Sequence, residues 1–177
     1  LVNPVLNQQM QVAGLFCGHY IRAHRAGVQL GRELYAVEAP ANADMAVISG
    51  APQDSEMMQA MKALGDGFGA IHSVRADGVV LWTADAVEGF GYHQMREHSR
   101  RTQGPKRRAR PGHYLDREML CYSPNISPVE FSEEAPEGFE LFRDLADAVE
   151  VLESQADGRS PVVNIFPQGA VSLYAAR

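Results

Sequence analysis

A run of four apolar residues, Met45-Ala46-Val47-Ile48, is followed directly by Ser49-Gly50-Ala51-Pro52. A short unbroken apolar run predicts a strand that is buried on both faces of a sheet. The Ser, Gly and Pro after it predict a turn. Asp54 or Ser55 is then a candidate N-cap for a helix that runs at least to Leu64. A buried strand followed by a helix is the repeating unit of a parallel sheet.

The same alternation continues on the C-terminal side of this unit. Val79–Trp82 and Met119–Tyr122 are further short apolar runs that predict strands, and Val162–Phe166 predicts a final strand. Helical spacing is present at Tyr92–Arg101, and apolar spacing at Phe139–Leu152 predicts an amphipathic helix. Strands that alternate with helices favour crossover connections and parallel pairing.

The N-terminal side has a different pattern. Leu1–Leu6 and Val12–Phe16 are two apolar runs joined by polar residues, which predicts a hairpin. His19–Val37 has the spacing of a helix, and Pro40 follows it as a terminator. The predicted fold class is therefore α/β: a mostly parallel sheet with helices on both faces, preceded by an N-terminal hairpin.

Length and composition restrict the class of protein. The 177 residues are 45% hydrophobic and 21% charged, which predicts one folded domain over residues 1–177. No apolar run approaches the length that spans a bilayer, and two cysteines cannot form a disulfide framework. We therefore expect a cytoplasmic protein without a membrane partner. Because the chain begins at Leu1 inside a predicted strand, we expect it to be a fragment of a longer protein.

Charge is unevenly distributed along the chain. Thr102–Gly112 is rich in Arg, Pro and Gly and predicts a surface loop within a basic region of about residues 100–113. No aromatic residues alternate with these charges, as base stacking would require. Because the net charge of the chain is −6, we expect no nucleic-acid partner.

Ligands of parallel sheets collect beyond the carboxyl ends of the strands. Two loops qualify: Ser49–Pro52, and Thr83–Gly91 with Glu88 and Gly89. The N-terminus of the helix behind the first loop is expected to offer free N–H groups to an anion. Gln59 and Lys62 are three residues apart on that helix, so they share one face. An amide and a cation together suit the hydroxyl and carboxylate of a small hydroxy acid.

Other chemistries have weaker support. His19 and His24, like His93 and His98, are five residues apart and do not share a helical face, so we predict no metal site in this chain. No serine lies in a nucleophile elbow. Gly65–Gly69 follows a predicted helix rather than a strand, so it is interpreted as a turn rather than a phosphate loop.

Three blocks of sequence resemble the C-terminal domain of the nickel-pincer lactate racemase family. They are Gly14–Gly27 (GLFCGHYIRAHRAG), Asp44–Gly50 (DMAVISG) and Gln59–Leu64 (QAMKAL). Glu88-Gly89-Phe90-Gly91 and Phe166-Pro167-Gln168-Gly169 agree with the family in position. The resemblance extends over nearly the whole chain and is firmest over residues 1–91.

The resemblance implies a two-domain racemase or epimerase, hence an isomerase, with its site in the cleft between the domains. Its cofactor would be a nickel ion held by a pyridinium mononucleotide with thiocarboxylate groups. A hydride from the α-carbon of a 2-hydroxy acid would pass to this cofactor and return to either face. The cofactor lysine and the histidines would belong to the missing N-terminal domain, which is the expected partner of this chain.

Six residues are the predicted substrate contacts. Gln59 and Lys62 match the family's substrate-binding glutamine and lysine, and Ser49, Gly50, Glu88 and Gly89 lie in the two ligand loops. The resemblance therefore implies no catalytic residue in this chain, no cofactor bound to it alone and no activity from it alone. Met58 stands where many relatives have an aromatic residue, so the preferred hydroxy acid stays open. The alternative interpretation is a non-catalytic α/β ligand-binding or interaction module.

Overall fold

The computed structural model describes residues 1–65, 69–92, 113, 114, 116–136, 138–156 and 158–177. Almost all of the helix predicted at Tyr92–Arg101 and of the basic region of about residues 100–113 lies outside these residues. No helix within the described ranges has both the length and the apolar character needed to cross a bilayer.

The N-terminal hairpin and its helix follow the sequence pattern closely. β1 (Val2–Leu6) pairs antiparallel with β2 (Val12–Cys17). The helix α1 (Tyr20–Tyr35) comes next and leads directly into β3 (Ala36–Ala39). The predicted hairpin and helix are confirmed, but the sequence pattern does not predict the strand β3.

A five-stranded parallel sheet forms the centre of the fold. The strands are β4 (Ala43–Ser49), β5 (Val74–Thr83), β6 (His113–Tyr114), β7 (Arg117–Tyr122), β8 (Phe139–Phe142) and β9 (Val163–Phe166). The five parallel strands lie in the order β8-β7-β5-β4-β9, and the two-residue strand β6 pairs antiparallel with β7. The three buried strands predicted around residues 45, 79 and 119 are central, which confirms the α/β class.

Helices cover both faces of the sheet, because strands with unbroken apolar runs have apolar side chains on both faces. The helices α2 (Met57–Ala60) and α3 (Pro128–Glu134) pack with Ile48, Trp82 and their neighbours on one face. On the other face, α4 (Leu145–Ser154) packs with the side chains that alternate with them in the strands, such as Leu81. The predicted placement of helices on both faces is confirmed.

The helix predicted over residues 139–152 is wrong in its first part. Residues 139–142 pair with β7 as β8, and α4 begins only at Leu145. The Asp144 carboxylate accepts a hydrogen bond from the Ala146 N–H at 2.8 Å and caps the helix. Phe139 and Leu141 fit the spacing of a strand as well as that of a helix, and pairing with β7 selects the strand.

A second, smaller parallel pair joins distant parts of the sequence. β10 (Leu173–Ala176) lies beside β3 with Leu173 opposite Ala36. A single 3₁₀ turn, Gly169–Val171, connects this strand to the end of β9. The pair therefore fixes residues 169–173 close to the C-terminal end of α1.

Asp44 at the start of β4 links three segments. Its carboxylate accepts hydrogen bonds from the Val162 N–H at 2.9 Å and from Arg75 Nε at 3.1 Å. These two hydrogen bonds hold the pKa of Asp44 below its ordinary value, and the bond from the Val162 N–H has the larger effect.

Replacing Asp44 with Asn is expected to reduce the acid sensitivity of folding. A depressed folded-state pKa contributes stability above the unfolded value of about 3.9, and this stability is lost as the pH falls through the folded-state pKa. The change in urea-unfolding free energy from neutral pH to below about pH 4 should therefore be smaller in Asp44→Asn than in the original chain. An equal change in both proteins would show that Asp44 is not part of the acid transition.

Candidate functional site

The turn after β4 begins the candidate site. The Ser49 hydroxyl accepts a hydrogen bond from the Ala51 N–H at 3.1 Å. The Gly50 N–H donates to the carbonyl of Thr83, the last residue of β5, at 2.7 Å. The carboxyl ends of the two central strands are therefore tied together by the turn that the sequence pattern predicts as a ligand loop.

Gly50 lies directly against α2. A Cβ atom at this position would lie 2.6 Å from the Cβ of Ala60 and 3.1 Å from its Cα. Such distances are shorter than packed carbon atoms allow, so only glycine lets α2 approach the end of β4 this closely. Gly50 thus positions the segment that contains Gln59 and Lys62.

The helix behind this loop is shorter than predicted. It covers Met57–Ala60 and tightens into a 3₁₀ helix over Met61–Leu64. Its N-cap is Glu56 rather than Asp54 or Ser55. The carbonyls of Asp54 and Ser55 instead accept hydrogen bonds from Ala86 and Glu88, so this segment is tied to the second loop.

The expectation of free N–H groups at this helix start is also wrong. The Met57 N–H donates to the Gly89 carbonyl at 3.0 Å, and the Met58 N–H donates to the Phe90 carbonyl at 2.9 Å. Both donors are satisfied within the protein and are not available to an anion. Any binding of an anion near α2 must therefore come from side chains.

Glu130 of α3 holds the second loop in place. Its carboxylate accepts a hydrogen bond from the Phe90 N–H at 2.8 Å. Gly89 has a positive φ of 70°, and a Cβ atom there would lie 2.9 Å from the nearer carboxylate oxygen of Glu130. Sequence reasoning missed Glu130 because it lies far along the chain in a helix that was not predicted.

Glu130→Ala is expected to loosen the loop and the start of α2 together. A hydrogen bond to a charged group contributes about 1.5–3 kcal/mol to stability. Because Glu130 is partly exposed, we expect the free energy of unfolding to fall by about 1 kcal/mol. Hydrogen exchange of the amides of residues 57, 58 and 90 should become faster. Glu133→Ala, at an exposed position of the same helix, should leave these amides unchanged, and equal rates in both variants would contradict the assignment.

A cavity of about 560 Å³ opens beside Lys62. Its walls come from α1, from the 3₁₀ helix that contains Lys62 and from the segment before β10. They include Val28, Gly31, Arg32 and Tyr35 of α1, Lys62, and residues 170–173. Sequence reasoning did not find the α1 wall, because nothing local relates residues 28–35 to residues 170–173.

Lys62 is an exposed cation at the edge of this cavity. It is exposed, and its side chain forms no hydrogen bond or ion pair with another residue of the described ranges. Among the six predicted contacts, it alone is one of the described residues that line the cavity. Gln59 lies half-buried in α2, three residues before it.

The other four predicted contacts lie in the two loops. Ser49 and Gly50 are in the turn after β4, and Gly89 is beside Glu130. Glu88 is exposed, and its N–H donates to the Ser55 carbonyl at 2.8 Å. The structure therefore brings the two loops together through backbone hydrogen bonds, while Lys62 faces a separate cavity.

Two further kinds of chemistry find little support among the described residues. Burial raises the pKa of the Cys121 thiol, which disfavours the reactive thiolate. Within the described ranges, no group of three or more His, Cys, Asp or Glu side chains is arranged to hold a metal ion.

The fold resembles that of a solved lactate racemase apoprotein from Thermoanaerobacterium thermosaccharolyticum. The TM-score is 0.68 at 18% sequence identity, and the match covers 98% of this chain and 45% of that chain. The chain therefore spans less than half the length of this structural relative. No family model matches the sequence, and no curated protein matches it. At this level of identity, the likeness establishes the fold alone.

Proposed function

We propose that this chain is the substrate-binding, C-terminal part of a 2-hydroxyacid racemase or epimerase. The observation that carries the proposal is the position of Lys62, an unpaired cation within the described residues, beside a cavity in a lactate racemase-like fold. The sequence blocks that resemble the nickel-pincer family independently assign a substrate contact to the same lysine.

In this proposal Lys62 binds the substrate carboxylate through a charge-assisted hydrogen bond. Gln59, whose side-chain amide both donates and accepts, orients the substrate hydroxyl. Binding both groups fixes the α-carbon relative to the other domain, which converts an encounter into a defined geometry. The role of this chain is therefore to hold and orient the substrate.

The remaining chemistry belongs to the proposed N-terminal domain. The chemistry that the family's nickel-pincer cofactor supplies is acceptance and return of the α-carbon hydride, so that a 2-oxo acid forms transiently. The resemblance assigns the cofactor lysine and the histidines to that domain, so we expect the 177-residue chain to be inactive by itself.

The test compares the 177-residue chain with the proposed longer protein, in which an N-terminal domain precedes Leu1. Each is loaded with the nickel cofactor and incubated with single enantiomers of several 2-hydroxy acids, and chiral chromatography follows the opposite enantiomer. The longer protein should racemise at least one acid and the chain none. Racemisation by the chain would refute this division of roles, and no racemisation by the longer protein would favour the non-catalytic module.

A further inference from the structure

The walls of the cavity beside Lys62 are mostly apolar, whereas a small hydroxy acid is mostly polar. Most of the described residues that line it, apart from Lys62 and Arg32, contribute aliphatic side chains or backbone, including Val28, Gly31, Val171 and Leu173. The Tyr35 hydroxyl is already bonded, because it donates to the Leu6 carbonyl at 2.7 Å. Lys62 therefore offers an available cation at the edge of an apolar interior.

The cavity is also much larger than the methyl group of lactate. The volume of about 560 Å³ falls within the range of roughly 300–1,000 Å³ that is typical of small-molecule sites. A lactate bound through its carboxylate at Lys62 would leave most of this apolar wall exposed to water. A larger apolar group would bury it, and each methylene buried strengthens binding by about fourfold.

We infer that the cavity binds the apolar side chain of a carboxylate whose head group contacts Lys62. The favoured ligands are 2-hydroxy acids with a branched aliphatic or aromatic substituent, rather than lactate. The identification of the ligand as a 2-hydroxy acid rests on the proposed function. The carboxylate head and the apolar body follow from the charge of Lys62 and from the walls of the cavity.

Gly31 offers a direct way to fill the cavity. It lies within α1 and lines the cavity, and a Cβ atom at this position would meet nothing within 4 Å. Leucine is a better helix former than glycine, so Gly31→Leu should fold while it occupies part of the space. Gln29→Leu is the matched control, because Gln29 is exposed on the same helix and is not among the described cavity-lining residues.

The experiment measures binding of 3-phenyllactate and of lactate to the 177-residue chain. Calorimetry gives the affinities, and methyl NMR identifies the residues contacted. The original chain should bind 3-phenyllactate at least about tenfold more tightly than lactate, with shifts at Val28, Val171 and Leu173. Gly31→Leu should weaken 3-phenyllactate binding by about tenfold and lactate binding by less than about twofold. Gln29→Leu should leave both affinities unchanged.

Three results would overturn the inference. They are equal affinities for the two acids, 3-phenyllactate shifts at residues away from the cavity, and an equal effect of Gly31→Leu on both acids. If circular dichroism shows that Gly31→Leu is unfolded, Gly31→Ala replaces it. Gly31→Ala should weaken 3-phenyllactate binding by about twofold and lactate binding by less. No selective effect of that variant would also overturn the inference.

The proposed function can fail separately. Selective binding of 3-phenyllactate by the chain, with no racemisation by the longer protein, would refute the racemase and leave the carboxylate cavity standing. Racemisation of lactate and 3-phenyllactate at rates that Gly31→Leu does not change relative to one another would refute the cavity and leave the racemase standing.

Discussion

Under the proposed function, Lys62→Gln is expected to lower kcat/KM for racemisation by the proposed two-domain protein by about 10- to 100-fold. A hydrogen bond between two charged groups contributes about 1.5–3 kcal/mol, and glutamine removes the charge and is one bond shorter. If Lys62 binds ground state and transition state equally, most of the loss should be in KM. Initial rates of chiral conversion over a range of substrate concentrations measure both parameters.

Two further variants make the Lys62 experiment specific. Lys62→Arg keeps the positive charge and should retain more activity than Lys62→Gln, although its planar group binds a carboxylate in a different geometry. Arg22→Gln removes a cation from an exposed position of α1 that is not among the described cavity-lining residues, and it should leave kcat/KM unchanged. An unchanged kcat/KM in Lys62→Gln would remove Lys62 from the substrate site.

Trp82→Ala is expected to cause the largest loss of stability. The Trp82 side chain is fully buried in β5 and packs edge-to-face on Phe139, with ring centroids 6.0 Å apart. Removing a buried aromatic ring of this size costs about 3–5 kcal/mol, because a cavity remains. Urea unfolding measures the loss, provided that the slope of free energy against denaturant is unchanged.

Trp82→Phe separates packing from hydrogen bonding. The buried Trp82 Nε1 forms no hydrogen bond with the described residues. Phenylalanine removes this unsatisfied donor together with part of the ring, so the loss should be only about 1–2 kcal/mol. Tyr20→Ala, at an aromatic residue that is 66% exposed, should change stability by less than about 0.5 kcal/mol. A loss in Trp82→Phe equal to that in Trp82→Ala would contradict this account.

The parts of the fold predicted from the sequence are those with strong local patterns. β4, β5 and β7 have unbroken apolar runs, and such runs form strands buried on both faces. The strands β3 and β10 are short and largely outside the core, so their pairing depends on contacts between distant residues. α3 was not predicted at all, because its seven residues include few apolar side chains.

The candidate site was predicted only in part, for a related reason. The prediction that Gln59 and Lys62 share one face assumed a regular α-helix, but the chain changes to a 3₁₀ helix at Met61. The backbone partners of Met57 and Met58 come from Gly89 and Phe90, in a loop that follows the next strand of the sheet. Local pattern selects Lys62 as a cation near the first loop, whereas the surroundings of Lys62 depend on tertiary contacts.

The pairing of β3 with β10 has a consequence for the order of folding. The two walls of the cavity, α1 and residues 170–173, are joined by strands that are separated by most of the sequence. Contacts of such high sequence separation form slowly, and during translation they must wait until the later strand has left the ribosome. β4, β5, β7 and β8 can therefore pair before β9 and β10 are available, and the cavity is among the last parts of the fold to form.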